Sequence, residues 1–300
     1  RFRRKFHMPT RYAHWNNKTV LITGGSSGIG LALGRLLAAQ GGHVWLIARR
    51  REGLEAALEQ VKAAAIRPEQ RFGMVSADLS VPEQAFSAVE QVKGAVLSCH
   101  PELVEGLSKD QAGVPDVVIN SAGAAHPGYV QDLSAEIFRW MMAVNYFGTL
   151  YVTKAVLPGM MARRSGHIIN ISSVAGFIGV FGYTAYGASK FAVAGFSEVL
   201  RAEMKRYGIR VSVVFPPDTE TPQLDYENQF KPPETKAISG TAKAMKPEQV
   251  AQIILRQAAK GRFLIFPALD VQLIYWLNTR LPKSWVFAVL DAMASRGQTK

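Results

Sequence analysis

Short apolar runs of strand length alternate along this 300-residue chain with longer segments whose apolar residues recur at helical spacing. Runs that are apolar on both faces suit strands sandwiched between two helical layers, as in a parallel sheet. "KTVLIT" (18–23) opens the series, and "HVWLIA" (43–48), "RFGMVSAD", "DVVINSAG", "GHIINISS", "IRVSVVFPPD" and "RFLIFP" follow. Between them, helical spacing marks "LALGRLLAAQ", which stops at Gly41-Gly42, then the alanine-rich "REGLEAALEQVKAAA", and segments around 135–161, 185–207 and 247–260. Seven strands joined by right-handed crossovers predict an α/β fold, a doubly wound seven-stranded parallel sheet. The whole chain, 1–300, reads as one such domain with its core over 18–266.

Two stretches break the rhythm. "GAVLSCHPELVEGLSKDQAG" (94–113) stands where connections normally run about two to six residues. Pro101 and the glycines at 94, 106 and 113 argue against a prolonged helix, so the segment is expected to be a surface insertion. Near the C-terminal end, "FLIFPALDVQLIYWL" (263–277) and "WVFAVLDAMA" (285–294) are apolar and aromatic, but Pro267, Asp270, Arg280 and Pro282 interrupt them. Neither reaches the roughly 20 residues of a membrane span. Interfacial segments with Trp276 and Trp285 at headgroup depth and helices buried against the domain or a second subunit both suit this pattern.

Composition, 48% hydrophobic and 19% charged, belongs to a globular chain with a full core. The single Cys99 excludes an intramolecular disulfide and offers no metal framework. An excess of 35 Lys and Arg over 23 Asp and Glu, net +12, favours an anionic partner. The basic residues gather at the start, "RFRRKF", with no interleaved aromatic stripe, so nucleic acid is not expected. The chain does not open on methionine, which leaves a preceding anchor open.

"TGGSSGIG" (23–30) joins a predicted strand to a predicted helix. There Gly24 and Gly28 permit a sharp turn and close backbone approach to a pyrophosphate, Gly30 permits close helix packing, and the helix N-terminus faces the anion. A dinucleotide is the expected ligand. At the end of the second strand an acid would grip the ribose hydroxyls of NAD, but Ala48 is followed by Arg49, Arg50 and Arg51. Arginine suits a 2′-phosphate, which points to NADPH, with at least one of the three a solvated helix start. Asp78, ending the third strand, either holds the adenine amino group or caps the next helix.

Tyr186 and Lys190 stand four apart and share a helix face. With "NSAG" (120–123), the Asn145 of "MAVNYFG", the Ser173 of "ISSVAG" and "YGASK", the chain resembles the short-chain dehydrogenase/reductase family over 18 to about 215. Its common "NNAG" reads "NSAG" here, which keeps Asn120 and varies Ser121. In that family's pattern the serine lies thirteen before the tyrosine, selecting Ser173 over Ser172. The resemblance implies that Tyr186 donates a proton to a ketone oxygen receiving hydride and that Lys190 lowers the phenol pKa and binds the nicotinamide ribose. Ser173 would orient the same oxygen, and Asn145 would hold a water that reprotonates the pair. Implied cofactor contacts extend to Ser26, Ser27, Ile29, Leu79, Asn120, Ala122, Gly123, Pro216, Thr219 and Thr221.

The loop "FPPDTETPQLDYENQFKPPETKAIS" (215–239) carries Pro217 where the family generally has glycine. With "KPEQVAQII", it resembles a subgroup, the 3-ketodihydrosphingosine reductases, that reduces a long-chain 3-keto sphingoid base with NADPH. Residues 216–245 would then form a substrate lid, and 267–300 a segment meeting the cytoplasmic side of a membrane, the endoplasmic reticulum if the source is eukaryotic. A steroid or 3-oxoacyl group is the alternative substrate, and a non-catalytic NADP-binding regulator the alternative class. Helices near 146–161 and 185–207 are the family's usual pairing surfaces, so a homo-oligomer is an open expectation.

Overall fold

All seven apolar runs become parallel strands in the computed structural model, which describes residues 14–99, 112–239 and 243–298. The strands are β1 (Thr19–Thr23), β2 (His43–Ala48), β3 (Phe72–Ser76), β4 (Val117–Asn120), β5 (Gly166–Ile171), β6 (Ile209–Val214) and β7 (Leu264–Ile265). Their order is β3-β2-β1-β4-β5-β6-β7. The chain leaves β1 toward one edge and returns to build outward from β4 toward the other, so the direction switches between β1 and β4. Thr23 registers with both Ile47 and Asn120, so the loops after β1, β2 and β4 leave the sheet side by side. Ligands of open α/β sheets bind at this kind of crevice.

Alternation within the strands feeds two cores. Ile22, Leu46 and Ile119 face α1 (Gly28–Ala38), α2 (Arg51–Ala63) and α9 (Pro247–Ala259). Leu21, Val118 and Ile168 face α3 (Pro82–Cys99), α5 (Gly148–Ala162) and α6 (Thr184–Met204). Neighbouring residues on a strand point to opposite faces, and both faces here are covered, which is why the strands read as unbroken apolar runs.

Two expectations change. Helix α3 runs on to Cys99, so positions 94–99 of the expected insertion are helical. Gly94 has open space around its α-carbon, and nothing there forces a break. The rest of that segment, 100–111, lies outside the described residues, as do "RFRRKF" and 240–242 of the lid. The helix expected over 135–161 is in fact α4 (Ala135–Met141), one π-helical turn (Met142–Phe147) and α5.

The last segments form α7 (Pro222–Phe230), α8 (Pro233–Ser239), α10 (Leu269–Arg280) and α11 (Lys283–Gln298). Thr221 caps α7 by accepting from the Leu224 N–H at 3.2 Å, with Pro222 at the first helical position. The end of α11 seats on α8 through Gly297, where a β-carbon would lie 2.6 Å from the Glu234 backbone. Among the described residues no helix is long and apolar enough to cross a membrane.

Candidate active site

A cavity of about 1040 Å³ opens over the carboxyl ends of β1, β4 and β5 and continues beneath α7, α10 and α11. Its first half is built by the turn after β1. Gly24 and Gly28 take φ of +67° and +54°, the left-handed region that glycine enters without strain. A β-carbon on Gly24 would come within 2.7 Å of Ala122 Cα, and one on Gly30 would strike the Gly24 carbonyl. Thr23 Oγ1 accepts from the N–H groups of Ser121 (3.1 Å) and Ala122 (3.0 Å), locking the two loops together. Ser26, Ser27, Ile29, Ala122, Gly123, Pro216, Thr219 and Thr221 line the same wall.

The arginines divide as chemistry requires. Arg49 and Arg50 border the cavity, whereas Arg51 pairs with Glu55 at 2.8 Å on the surface of α2. Asp78 also borders it, and its Oδ1 accepts from the N–H and Oγ of Ser80 at 2.9 and 2.6 Å, a local turn ahead of α3. Leu79 lies beneath, buried.

Asn120 lies outside the cavity lining, buried, with Nδ2 donating to Asn170 Oδ1 (2.9 Å) and Thr153 Oγ1 (3.3 Å), so its side chain ties β4 to β5 and α5.

Tyr186 and Lys190 face the second half of the cavity from the first turns of α6. Both are buried, and Lys190 Nζ lies 5.7 Å from the phenol ring centre while donating to the Ile171 carbonyl at 3.0 Å. Ser173 accepts from the Ala175 N–H, and its hydroxyl and the Gln223 amide both lie close enough to the Tyr186 phenol to draw its pKa down. The neighbouring Ser172 instead donates to the Lys190 carbonyl at 2.9 Å.

Asn145 is fixed by three hydrogen bonds within the protein. Its Oδ1 accepts from Ala124 N (2.8 Å), and its Nδ2 donates to the Ala124 carbonyl (2.9 Å) and Ser189 Oγ (2.8 Å). With both amide protons committed, the side chain pins the loop after β4. That loop carries Gly123, where a β-carbon would lie 3.1 Å from Asn145 Oδ1 and 3.4 Å from Lys190 Nζ. The π turn, frequent at functional sites, is what holds Asn145 here.

Electrostatics reverse the expectation for the phenol. Burial, and after it the charge of Glu227, raises the Tyr186 pKa, and the bonds from Ser173 and Gln223 only partly oppose this. Burial lowers Lys190 to about 8, against an upward pull from Glu227. The phenol is therefore a protonated acid at neutral pH, beside an ammonium close to its own titration point.

Three neighbours of this chemistry escaped the sequence reading: Tyr183, Gln223 and Glu227. Tyr183 O–H donates to Glu227 Oε2 at 2.6 Å, and Gln223 Nε2 to Glu227 Oε1 at 2.8 Å. Burial raises the Glu227 carboxyl above the usual range. A second tyrosine three before Tyr186, on the same helix face, was the available signal.

The short chain dehydrogenase family model matches residues 18–232. The chain belongs to that family. Its fold and site make it an oxidoreductase of the short-chain type. It is 40% identical over 248 residues to a 3-dehydrosphinganine reductase of Danio rerio, covering 83% of this chain and 70% of the relative. To a 3-ketodihydrosphingosine reductase of Bos taurus it is 39% identical over 244 residues, 81% of this chain and 69% of that one. Levodione reductase superposes with a TM-score of 0.70 at 24% identity over 84% of this chain and 96% of the other, a likeness of fold. A nicotinamide cofactor follows from family and fold, and the glycine turn, bare wherever a side chain would obstruct it, fits one.

Proposed function

We propose that this short-chain reductase uses NADPH to reduce the keto group of 3-ketodihydrosphingosine to dihydrosphingosine. The observation that carries the substrate is the far wall of the cavity. Beyond Tyr186 it is built from Ile274, Leu277 and Leu281 of the α10 region and Trp285, Val286 and Leu290 of α11, an apolar channel suited to a long alkyl chain. The identity to reductases named for that ketone supports the same reading.

Ser26, Ser27 and the backbone around Gly28 would hold the pyrophosphate, Arg49 and Arg50 the 2′-phosphate, and Lys190 the nicotinamide ribose. When bound, the reduced nicotinamide supplies the hydride. Tyr186 then delivers its phenolic proton to the carbonyl oxygen as negative charge develops there, and Ser173 holds that oxygen by a second hydrogen bond. The resulting phenolate is stabilised by the Lys190 ammonium, which near pH 8 is able to pass a proton back to it.

The apolar C-terminal helices extend the proposal to location. The same α10 and α11 that line the channel expose Leu273, Trp276 and Phe287. A peripheral site on the cytoplasmic side of a membrane would let an insoluble chain enter without crossing water.

The test is cofactor consumption with NADPH or NADH against the sphingoid ketone, a steroid ketone and a 3-oxoacyl thioester. The expected result is preference for NADPH and the sphingoid ketone, and Arg49→Ala should weaken NADPH by about 1.5–3 kcal/mol with little change for NADH. Preference for either other ketone would replace the substrate, and equal losses of both cofactors would remove Arg49 from the 2′-phosphate site.

A further inference from the structure

The substrate side of the cavity holds a carboxylate that proton transfer does not use. Glu227 is only 6% exposed, it lines the cavity from α7, and both of its oxygens are bound by neutral donors, Tyr183 O–H and Gln223 Nε2. The ion pairs among the described residues leave it out; the charge of buried Lys231 acts on it from a distance, but that ammonium is paired with Asp218 at 3.5 Å. A buried carboxylate without a paired cation is costly, which is why burial raises this one, and a protonated amine placed against it would favour its charged form. Tyr183, which donates to Glu227, holds its ring 5.4 Å from the Tyr186 ring, so the carboxylate lies one side chain away from the group that meets the substrate oxygen.

We propose that Glu227 is an ammonium subsite, binding a protonated amine on the carbon adjacent to the carbonyl and selecting 2-amino ketones over plain ketones. This deepens the reading above and rests on it. In such a ketone the nitrogen lies roughly 3 Å from the carbonyl oxygen, from standard bond lengths. An oxygen held by Tyr186 and Ser173 therefore brings the ammonium to the α7 side of the cavity. A carboxylate offers about four lone-pair directions, and Tyr183 and Gln223 use two, which leaves acceptors for the amine. At the other end Lys190 is cationic and repels an ammonium, so the two charges orient the substrate in one sense. Charge-assisted bonds inside a dry cavity discriminate more strongly than exposed ones.

A purely structural role, Tyr183–Glu227 as a latch between α6 and α7, predicts different behaviour, and two substitutions separate them. Glu227→Gln keeps size and an acceptor for Tyr183 while removing the charge; Tyr183→Phe removes the latch and keeps the charge. The purified chain with NADPH in detergent micelles is given a long-chain 2-amino-3-ketone or its N-acetyl derivative, which has the same chain and no charge. The wild type should favour the amine, and in Glu227→Gln the ratio of the two kcat/KM values should fall by about tenfold or more. Tyr183→Phe should change that ratio by less than about threefold, even if both rates decline. An unchanged ratio in Glu227→Gln, or equal loss for both ketones, overturns the subsite. Titration calorimetry of the matching amino alcohol and its N-acetyl form onto the NADP-loaded protein reads the same preference without turnover. If no ketone is reduced, the reductase reading falls, and the calorimetric preference, present or lost in Glu227→Gln, still decides the subsite. Should Glu227→Gln fail to fold, a wild type binding amine and N-acetyl forms equally overturns it, and an amine preference preserved in Tyr183→Phe sustains it.

Discussion

Tyr186 and Lys190 are buried together with one hydrogen-bonded lysine proton and no carboxylate paired to the ammonium, an arrangement that trades stability for chemistry. Tyr186→Phe keeps the ring and removes the proton. Turnover should fall by about 10²–10⁴-fold while cofactor binding, followed by fluorescence, is retained; more than about a tenth of the wild-type rate would show another acid. Lys190 supports a stability prediction with a definite sign. Its pKa is about 8 in the folded chain against 10.5 for an ordinary lysine. Between those values the unfolded chain binds more protons than the folded one, so stability rises with pH there, and the cost of the buried charge is fully present below about pH 8. The thermal midpoint of cofactor-free Lys190→Met, taken relative to wild type, should therefore be most favourable at pH 7 and decline steadily toward pH 10. A difference that does not vary with pH would mean that Lys190 keeps an ordinary pKa.

Among the elements, the π turn and the α8–α11 contact do the positioning. The π turn carries buried Asn145 to Ala124 and Ser189, an arrangement a continuous α-helix of the same sequence would rotate away. At the other end of the cavity, Gly297 lets α11 lie directly on the Glu234 backbone. Gly297→Leu has no room for its side chain. It should displace α11, cost about 1–3 kcal/mol, and raise KM for a long-chain ketone far more than for a short one. Equal effects on both chain lengths, measured by steady-state kinetics, would detach α11 from chain binding.

For the whole molecule, the feature to explain is that large apolar side chains stay in water. Leu273, Trp276 and Phe287 are 56%, 50% and 54% exposed on the helices that also wall the channel. If this face docks on a bilayer, the chain should sediment with vesicles, and the triple variant Leu273→Glu, Trp276→Ser, Phe287→Glu should lower the partition coefficient by about tenfold or more. Wild-type binding should persist in part at high salt, since apolar burial is not screened. Sedimentation abolished by salt alone would assign it to basic charge, and none under any condition would remove the membrane proposal.

Much of this was readable in one dimension. The doubly wound parallel sheet follows from the alternation of apolar runs and helical segments, because parallel strands with right-handed crossovers leave few arrangements. The glycine turn and the Tyr186/Lys190 pair were equally legible, because backbone sterics and helix periodicity act over a few residues. What the tertiary structure decided lies in contacts between distant segments. Asn120 became a core tie because Asn170 and Thr153 come to meet it from 50 and 33 residues away. The rise in the Tyr186 pKa, where a fall was expected from Lys190, comes first from a burial that no local spacing specifies and then from Glu227, brought over by a lid helix 41 positions later in numbering. Short-range geometry is written in neighbouring residues, whereas desolvation and long-range charge depend on what the completed fold packs around a group.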